Sequence, residues 1–346
     1  MAETKPVNVA IIGCGLIGTQ WDAQDPKPCM SLTHAAGFSK HHDARLVAVC
    51  DQDPHKAEQA AQRWGARAFT DPEQLFAEAP VELAVIATSS AARWAVIAPA
   101  LVAGVKVLVI EKPLASTLDE SKQLVDAIDA AGVKSLVNFS RHWDPSMRRL
   151  RENLRSGEFG RIQRIVGTYG KGISNNGSHM IDLVAFLCDA RPVKARALGS
   201  PLDSHEALWS DRKDRALDAQ IVFANDAGAQ FQLTMLGTDQ RAFTCFELRV
   251  IGSHALCELT MGGRKVTVTP IRDDPHYVGY AIPGEPVSLP ARAMEAMDLM
   301  ADEALQLALG WISKSSCDVH TALFTALTVE AITRSELEAR RWIDIT

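Results

Sequence analysis

Two short stretches of this sequence carry residue types that can do electrostatic or acid–base chemistry, and the first is Glu111-Lys112-Pro113. The tripeptide follows an apolar run at 105–110, which predicts a buried strand. Pro113 disfavours helical backbone at Lys112 and is able to form a cis bond, so the lysine should be held at the end of that strand. A cation there can hydrogen-bond a substrate hydroxyl and stabilise the alkoxide that develops on its oxygen. The alternative is an ordinary surface lysine, and the tripeptide alone does not separate the two.

The second stretch runs from 169 to 183, where a predicted strand gives way to a loop rich in Gly and Asn and then to an apolar helix. His179 falls in or beside the first helical turn. The positive end of the helix dipole disfavours a charged imidazole, so His179 should accept a proton as a general base near neutral pH. Asp182 follows on the same helix face, where it can fix the orientation of the ring. The alternative for His179 is a capping or core histidine. We interpret His34 as a packed helix residue.

The elements that must position these residues begin with an apolar run at 7–12 that ends in Gly-x-Gly-x-x-Gly at 13–18. In such a strand–turn–helix, Gly13 allows the tight turn, Gly15 lets a pyrophosphate approach the backbone, and Gly18 lets the helix pack close to the strand. The helix N-terminus offers unpaired N–H groups to the phosphates. The stretch therefore predicts dinucleotide binding rather than a plain glycine-rich turn.

A second predicted strand at 45–50 ends at Asp51, whose carboxylate can accept hydrogen bonds from the adenosine ribose hydroxyls and would repel a 2′-phosphate. We therefore predict NAD rather than NADP as cofactor. Asp51 follows Gly13 by 38 positions, more than the usual distance of about 20, and an inserted segment at 20–31 accounts for much of the excess. That segment is either a tolerated surface insertion or a lid that contacts substrate. Asp53 and Pro54 then predict the cap and first residue of a helix.

Further apolar strands at 83–88, 105–110 and 135–139 alternate with helices at 91–103 and 117–131. This alternation predicts a doubly wound parallel sheet of the Rossmann type, with ligands at the carboxyl ends of the strands. The residues at those ends are the predicted cofactor-binding set: Gly13, Gly15, Leu16, Ile17, Gly18, Asp51, Thr88, Ser89, Glu111 and Lys112.

From about residue 160 the pattern changes to short alternating strands, at 163–169, 194–198, 219–223, 229–236, 243–251, 255–259 and 265–269, followed by helices at 291–309 and 318–338. We predict a Rossmann NAD-binding domain over 1–140. A substrate-binding and oligomerisation domain of the α+β class, with an open and mainly antiparallel mixed sheet, is predicted over 141–346.

The composition excludes several classes of protein. A net charge of −6 argues against nucleic acid or anionic membranes as partners, and no apolar stretch is long enough to span a bilayer. The first residues show no secretory signal, so a cytoplasmic location is expected. The seven cysteines are scattered, which predicts buried free thiols rather than disulfides. No cluster of His, Asp or Cys has ligand spacing, and no metal is predicted.

With these residues in place, the sequence resembles the glucose–fructose oxidoreductase / inositol dehydrogenase (Gfo/Idh/MocA) family of nicotinamide-dependent enzymes. The resemblance covers most of the chain and rests on the glycine turn, the strand ending at Asp51, the Glu111-Lys112-Pro113 tripeptide, the 138–141 stretch, and 177–183. It implies that Lys112 binds the substrate hydroxyl near nicotinamide and that His179 is the catalytic acid/base. It also implies a second domain whose sheet lines the active site and makes the contacts of a homodimer or homotetramer.

The sequence departs from the family pattern at Asn175, where the family often has Asp. Asn cannot take a proton, but it can hold a hydroxyl or orient the imidazole. Arg141 matches a family position and is a candidate substrate-binding residue, as are Asn175 and Asp182. Lys171 and Tyr169 lie just upstream of the Asn-rich loop and are predicted to line a sugar site.

Together these features predict an NAD-dependent dehydrogenase acting on a secondary hydroxyl, or the matching ketone, of a sugar, nucleotide sugar or cyclitol. Two alternatives stay open. One is an enzyme that recycles bound NAD while it processes glycosides by oxidation and elimination. The other is a dinucleotide-binding sensor or partner protein without turnover, which Asn175 favours and the retention of Lys112 and His179 disfavours.

Overall fold

A computed structural model describes residues 5–22, 30–203, 208–209, 214–239, 243–290 and 292–346. The centre of the inserted segment, at 23–29, lies outside these residues, and so does Cys29. The chain divides into two compact units, Met1–Asp144 with Met294–Leu323, and Pro145–Ala293 with Phe324–Thr346. The predicted single boundary at 140 is therefore incomplete, because 294–323 return to the first unit.

The first unit contains a six-stranded parallel sheet in the order β3-β2-β1-β4-β5-β6, which confirms the predicted doubly wound fold. Strands β1, β4 and β5 are buried along their whole length, as expected for a parallel sheet covered on both faces. The strands are β1 (Val7–Ile12), β2 (Ala44–Cys50), β3 (Arg67–Phe69), β4 (Leu83–Ile86), β5 (Val107–Ile110) and β6 (Lys134–Val137).

Local capping explains where two helices of this unit begin. An Asp53 carboxylate oxygen accepts a hydrogen bond from the His55 N–H and Pro54 is the first helical residue, as predicted. Thr117 and Glu120 form a capping box. The helices are α1 (His34–Ser39), α2 (Pro54–Trp64), α3 (Pro72–Glu78), α4 (Arg93–Val102) and α5 (Leu118–Ala131).

The second unit contains a mixed sheet in the order β16-β15-β14-β13-β7-β12-β11-β8-β18, with β17 beside β15 and a separate β9–β10 pair. Among the described strands of this second sheet, only the β7–β12 pair is parallel, so the predicted mainly antiparallel sheet is confirmed. Its helices and strands are α6 (Pro145–Arg155), β7 (Ile162–Tyr169), α7 (Ser178–Cys188), β8 (Ala190–Gly199), β9 (Leu208–Trp209), β10 (Asp214–Arg215), β11 (Asp218–Asn225), β12 (Gln230–Gly237), β13 (Phe246–Gly252), β14 (Ala255–Thr260), β15 (Lys265–Asp273), β16 (Ala281–Pro283), β17 (Val287–Leu289) and β18 (Ile343–Asp344).

Two late helices precede the last strand, β18: they are α8 (Ala296–Leu309) and α9 (Val319–Leu337). Met300, Ala304 and Leu305 of α8 are buried in the core of the first unit, which is why this helix belongs to it rather than to the second domain. No helix in the described part of the chain is both long and apolar enough to cross a membrane.

The described cysteines are free, as predicted, and all but the half-buried Cys188 are buried. Burial raises the pKa of the Cys14 and Cys50 thiols to about 12, and the nearby Asp51 charge adds to the shift. Burial also raises the pKa of Cys188 and Cys257 to about 12. These thiols stay protonated near neutral pH and are poor nucleophiles.

Candidate active site

The glycine turn after β1 is closely packed at its first and last glycines. Gly13 has a φ of +102°, and a Cβ on it would lie 2.6 Å from the carbonyl carbon of Ala87. A Cβ on Gly18 would overlap the carbonyl oxygen of Gly13. The predicted roles of these two glycines, in the turn and in close packing, follow from this geometry.

Gly15 is different, because a Cβ there would meet no atom within 4 Å. Its backbone is extended, with a φ of −79°, and it precedes a five-residue π-helical turn at Leu16–Gln20. The first hydrogen bonds of that turn are donated by Thr19 and Gln20 to the Gly15 carbonyl, so the N–H groups of Leu16 and Ile17 precede them. The turn thus combines open space over Gly15 with the helix-start N–H groups that a phosphate requires.

Asp51 lies beside this turn at the end of β2. Its Oδ2 accepts a hydrogen bond of 2.8 Å from the Cys14 N–H, and its Oδ1 accepts one of 3.0 Å from the Asp53 N–H. The carboxylate is half-buried and fixed against the glycine turn. This is the position at which a ribose-binding acid is expected in a Rossmann fold.

The end of β4 supplies a further polar group at the same edge of the sheet. The chain order reverses between β1 and β4, and ligands bind at such a switch point. The Thr88 Oγ1 is buried there and has no hydrogen-bond partner in the described structure. An unsatisfied hydroxyl, the open space over Gly15 and the fixed carboxylate of Asp51 all fit a bound dinucleotide.

Lys112 follows β5 at this same edge and is half-buried. The Lys112–Pro113 peptide bond is cis, as the sequence allowed. The neighbouring Glu111 was predicted to bind cofactor, but its side chain is buried and its Oε1 is hydrogen-bonded to His34 at 2.8 Å and to Asn138 at 2.6 Å. The Glu111 carboxylate therefore points to His34 and Asn138 inside the protein, contrary to the prediction that it binds the cofactor.

His179 lies in the second unit, in the first turn of α7, as predicted, and is half-buried. Asp182, on the next turn, is 1 % exposed. The loop before the helix begins at Gly172, with a φ of +78°, and continues as a π-helical turn at Ile173–Gly177. The sequence thus placed both side chains on the correct element.

Asp214 is a residue that sequence reasoning missed. Its Oδ1 accepts a hydrogen bond of 2.9 Å from the Ser174 N–H, and its Oδ2 accepts one of 3.0 Å from the Asn175 N–H. One carboxylate therefore holds the backbone of the loop that leads to His179. No local pattern could have revealed it, because Asp214 belongs to a two-residue strand about 40 positions away.

Tyr169 does not line a sugar site, contrary to the sequence prediction. Its side chain is fully buried in the core of the second unit, and its hydroxyl donates a 2.7 Å hydrogen bond to the Leu217 carbonyl. Burial raises the pKa of its phenol well above the usual value. Lys171 is half-buried in the second unit, and Arg141 is half-buried in a 3₁₀ turn of the first. Their predicted roles in substrate binding stay predictions.

Three potential metal ligands do come together outside the site, although the sequence predicted none. His41, His42 and Asp43 bring ligand atoms within 4.8 Å of one another at the amino end of β2. The two imidazoles are stacked, and His41 already accepts a hydrogen bond from the Asp43 N–H at Nδ1 and contacts Asp302 through Nε2. Because the stacked rings of His41 and His42 do not point their nitrogens at a common ion, these three residues do not have the geometry of a structural metal site.

Comparison with known proteins shows what this chain is similar to. Residues 7–139 match the family model described as "Oxidoreductase family, NAD-binding Rossmann fold". The chain is 31% identical over 205 residues to inositol 2-dehydrogenase 2 of Saccharopolyspora erythraea, a match covering 55% of this chain and 56% of that protein. It is 26% identical over 200 residues to D-glucoside 3-dehydrogenase of Escherichia coli K12, covering 54% and 53%. The matches thus span little more than half the length of these relatives.

The fold extends over the whole chain in solved structures. The inositol dehydrogenase homolog of Azotobacter vinelandii, complexed with NADH and myo-inositol, superposes with a TM-score of 0.73 at 19% identity, over 99% of this chain and 98% of that one. At that identity the likeness shows the fold alone. The sequence matches, the glycine turn and the parallel sheet agree over the first unit, where residues 7–139 are similar to the NAD-binding Rossmann domain of the Gfo/Idh/MocA oxidoreductases.

Proposed function

We propose that this protein is an NAD-dependent oxidoreductase that transfers a hydride between nicotinamide and a secondary hydroxyl, or the matching ketone, of a sugar or cyclitol. The observation that carries the proposal is the placement of Lys112 after β5, at the same sheet edge as the glycine turn and Asp51. A lysine beside a dinucleotide site can hydrogen-bond the oxygen whose carbon exchanges the hydride.

In this reaction the bound nicotinamide supplies the hydride acceptor or donor. Lys112 binds the substrate oxygen and stabilises negative charge on it while its proton is absent. From its place in the first turn of α7, His179 takes that proton in the oxidative direction and returns it in the reductive one. Asp182 and the loop at Asn175 orient the imidazole.

The cofactor preference follows from Asp51. Two backbone N–H groups fix its carboxylate beside the glycine turn, so its negative charge stays at the ribose position and repels a 2′-phosphate. We expect tighter binding of NAD than of NADP in calorimetric titrations. Tighter binding of NADP would contradict this assignment.

The substrate class draws support from the relatives, whose names place their activity on inositol and on a D-glucoside. Both are ring compounds with several secondary hydroxyls. We therefore propose cyclitols and sugars or their glycosides as substrates, with nucleotide sugars tested beside them.

The deciding experiment follows nicotinamide absorbance with purified protein, NAD or NADH, and a panel of cyclitols, aldoses, uronates, glycosides and nucleotide sugars. Lys112→Met should lower turnover by orders of magnitude and leave NAD affinity nearly unchanged. The matched control is Lys106→Met, because Lys106 pairs with Glu82 at the opposite end of β5. Equal turnover in parent and Lys112→Met would refute the role of Lys112.

If NAD binds and no panel member changes the absorbance, the dehydrogenase proposal fails in its simple form. Chromatography of the same mixtures then separates the two remaining functions. Cleaved glycoside without net NADH indicates a recycled cofactor, whereas unchanged glycoside indicates a sensor without turnover.

A further inference from the structure

The side chain of Glu111 ends inside the first unit, where it joins three elements of the fold. Its Oε1 accepts hydrogen bonds from the Nε2 of His34, which is fully buried at the start of α1, and from the Nδ2 of Asn138, which follows β6. An ionised carboxylate has no proton to donate, so both side chains are the donors. Backbone bonds fix the same point, since the Glu111 N–H donates to the Ile86 carbonyl at 3.0 Å.

An ionised carboxylate in such a place is unfavourable unless hydrogen bonds and charges compensate for lost hydration. Burial acts to raise the pKa of Glu111, but the hydrogen bond and charge of His34, the hydrogen bond from Asn138 and the charge of Lys112 together lower it. The fold therefore keeps a buried negative charge directly before Lys112.

A second buried side chain fixes the other side of Lys112. Arg93, at the start of α4, is 2% exposed and donates hydrogen bonds to the Leu114 carbonyl at 3.1 Å and to the Thr88 carbonyl at 3.2 Å. Burial lowers its pKa to about 10, and the charge of Glu111 opposes that shift. Buried side chains thus hold the chain both before and after Lys112.

We propose that the His34–Glu111–Asn138 network is a positioning device for Lys112, with Arg93 holding the segment beyond it. Glu111 fixes the backbone of Lys112 at the end of β5 and places a negative charge next to it in the chain, without itself touching substrate or cofactor. The inference rests on the proposed function of Lys112 as the group that binds the substrate oxygen. It assigns a role to four residues that the reaction itself does not require.

The first test is Glu111→Gln, read by the rate at which Lys112 reacts with acetic anhydride at a fixed, mildly alkaline pH. Peptide mass spectrometry follows the reaction in the full chain without cofactor. Gln keeps an oxygen that can accept from His34 and Asn138 but removes the charge. We expect Lys112 to react at least threefold faster, because loss of the neighbouring anion favours the neutral amine.

The matched control is Glu82→Gln. Glu82 is likewise a hydrogen-bonded carboxylate, which accepts from Lys106 at 2.8 Å and from the Asn8 N–H at 3.1 Å, but it precedes β4 at the opposite edge of the sheet. It should leave the reactivity of Lys112 unchanged. An unchanged Lys112 rate in Glu111→Gln would overturn the proposal, whether or not a substrate has been found.

The second test compares His34→Leu with His34→Gln, and carries the proposal if Glu111→Gln does not fold. Gln retains an N–H donor for Glu111, whereas Leu does not. We expect His34→Leu to lower kcat at least tenfold, with KM and NAD affinity within about twofold, and His34→Gln to recover most of the loss. Equal kcat in His34→Leu and parent, or equal losses in both variants, would overturn the positioning role. Absence of turnover in the parent would instead refute the proposed function.

Discussion

Gly15→Ala should separate cofactor binding from folding more cleanly than any other change in the glycine turn. A Cβ at Gly15 meets no atom within 4 Å, and a φ of −79° suits alanine. Replacing Gly by Ala at a compatible backbone position stabilises a protein by about 0.4–1 kcal/mol. Without cofactor, the variant should therefore be as stable as the parent or slightly more stable.

With NAD present the result should reverse, because the added methyl group occupies the space through which a pyrophosphate approaches the backbone. Such an overlap costs about 1–3 kcal/mol, and a cost of about 2 kcal/mol weakens binding about thirtyfold. At an NAD concentration of about 100 times the parent Kd, ligand binding stabilises the parent by about 2.7 kcal/mol. The variant should keep only about 0.9 kcal/mol of that stabilisation.

The assay is urea unfolding of each protein with and without NAD, with the affinity checked by calorimetry. Gly13→Ala and Gly18→Ala are the matched controls, since their added Cβ atoms would collide with Ala87 and with the Gly13 carbonyl. Those two variants should lose about 2 kcal/mol or more of stability without cofactor. If Gly15→Ala keeps the full NAD stabilisation of the parent, the pyrophosphate does not approach this glycine and the reasoning is wrong.

Three further outcomes can be checked directly. Tyr169→Phe should lower the free energy of unfolding by about 1–2 kcal/mol, because it leaves the buried Leu217 carbonyl without its donor, and should leave kcat unchanged; a loss of kcat without a loss of stability would return Tyr169 to the substrate site. Asp214→Ala should lower kcat by loosening the loop before His179, with Asp214→Asn retaining part of the activity; equal kcat in all three proteins would show that this anchor is dispensable. Glu111→Gln should weaken the loss of folding stability at acid pH. The pKa of Glu111 is lowered in the fold, so the ionised carboxylate contributes to the free energy of unfolding above its unfolded pKa of about 4.5. This contribution is lost as the pH falls through the lower pKa of the folded state. If the free energy of unfolding, measured with urea across pH, falls equally steeply at acid pH in parent and variant, that assignment is contradicted.

The parallel sheet could be predicted from the sequence because its strands are continuous apolar runs that end in residues with backbone or charge requirements. Gly13, Asp51 and Lys112 each follow such a run, so topology alone brings them to one edge. The short strand β3 escaped prediction, since three residues are too few to show a period. The return of α8 to the first unit also escaped, because an apolar helix face does not specify which core it will join.

The errors at the site have a common physical cause. Tyr169 was assigned to a sugar site because it ends a strand beside a loop, but side chains alternate along a strand and this one points into the core. Asp214 was missed because it acts on backbone N–H groups far along the chain. Sequence periodicity indicates which helix or strand a residue belongs to. The roles of Tyr169 and Asp214 depend instead on which groups, far away along the chain, form hydrogen bonds with their side chains.

The network around Glu111 shows why that distinction matters for function. His34, Glu111 and Asn138 lie at the ends of three elements, and only the sheet order brings them together. Each is an unremarkable choice by itself, since a buried histidine or asparagine is tolerated wherever a partner exists. His34 and Asn138 both bind one oxygen of Glu111. Their hydrogen bonds compensate for the lost hydration of this carboxylate, so that a negative charge can stay next to Lys112 inside the first unit. If Lys112 carries the chemistry, selection on its ammonium group should act on these three positions and on Arg93 as much as on Lys112 itself.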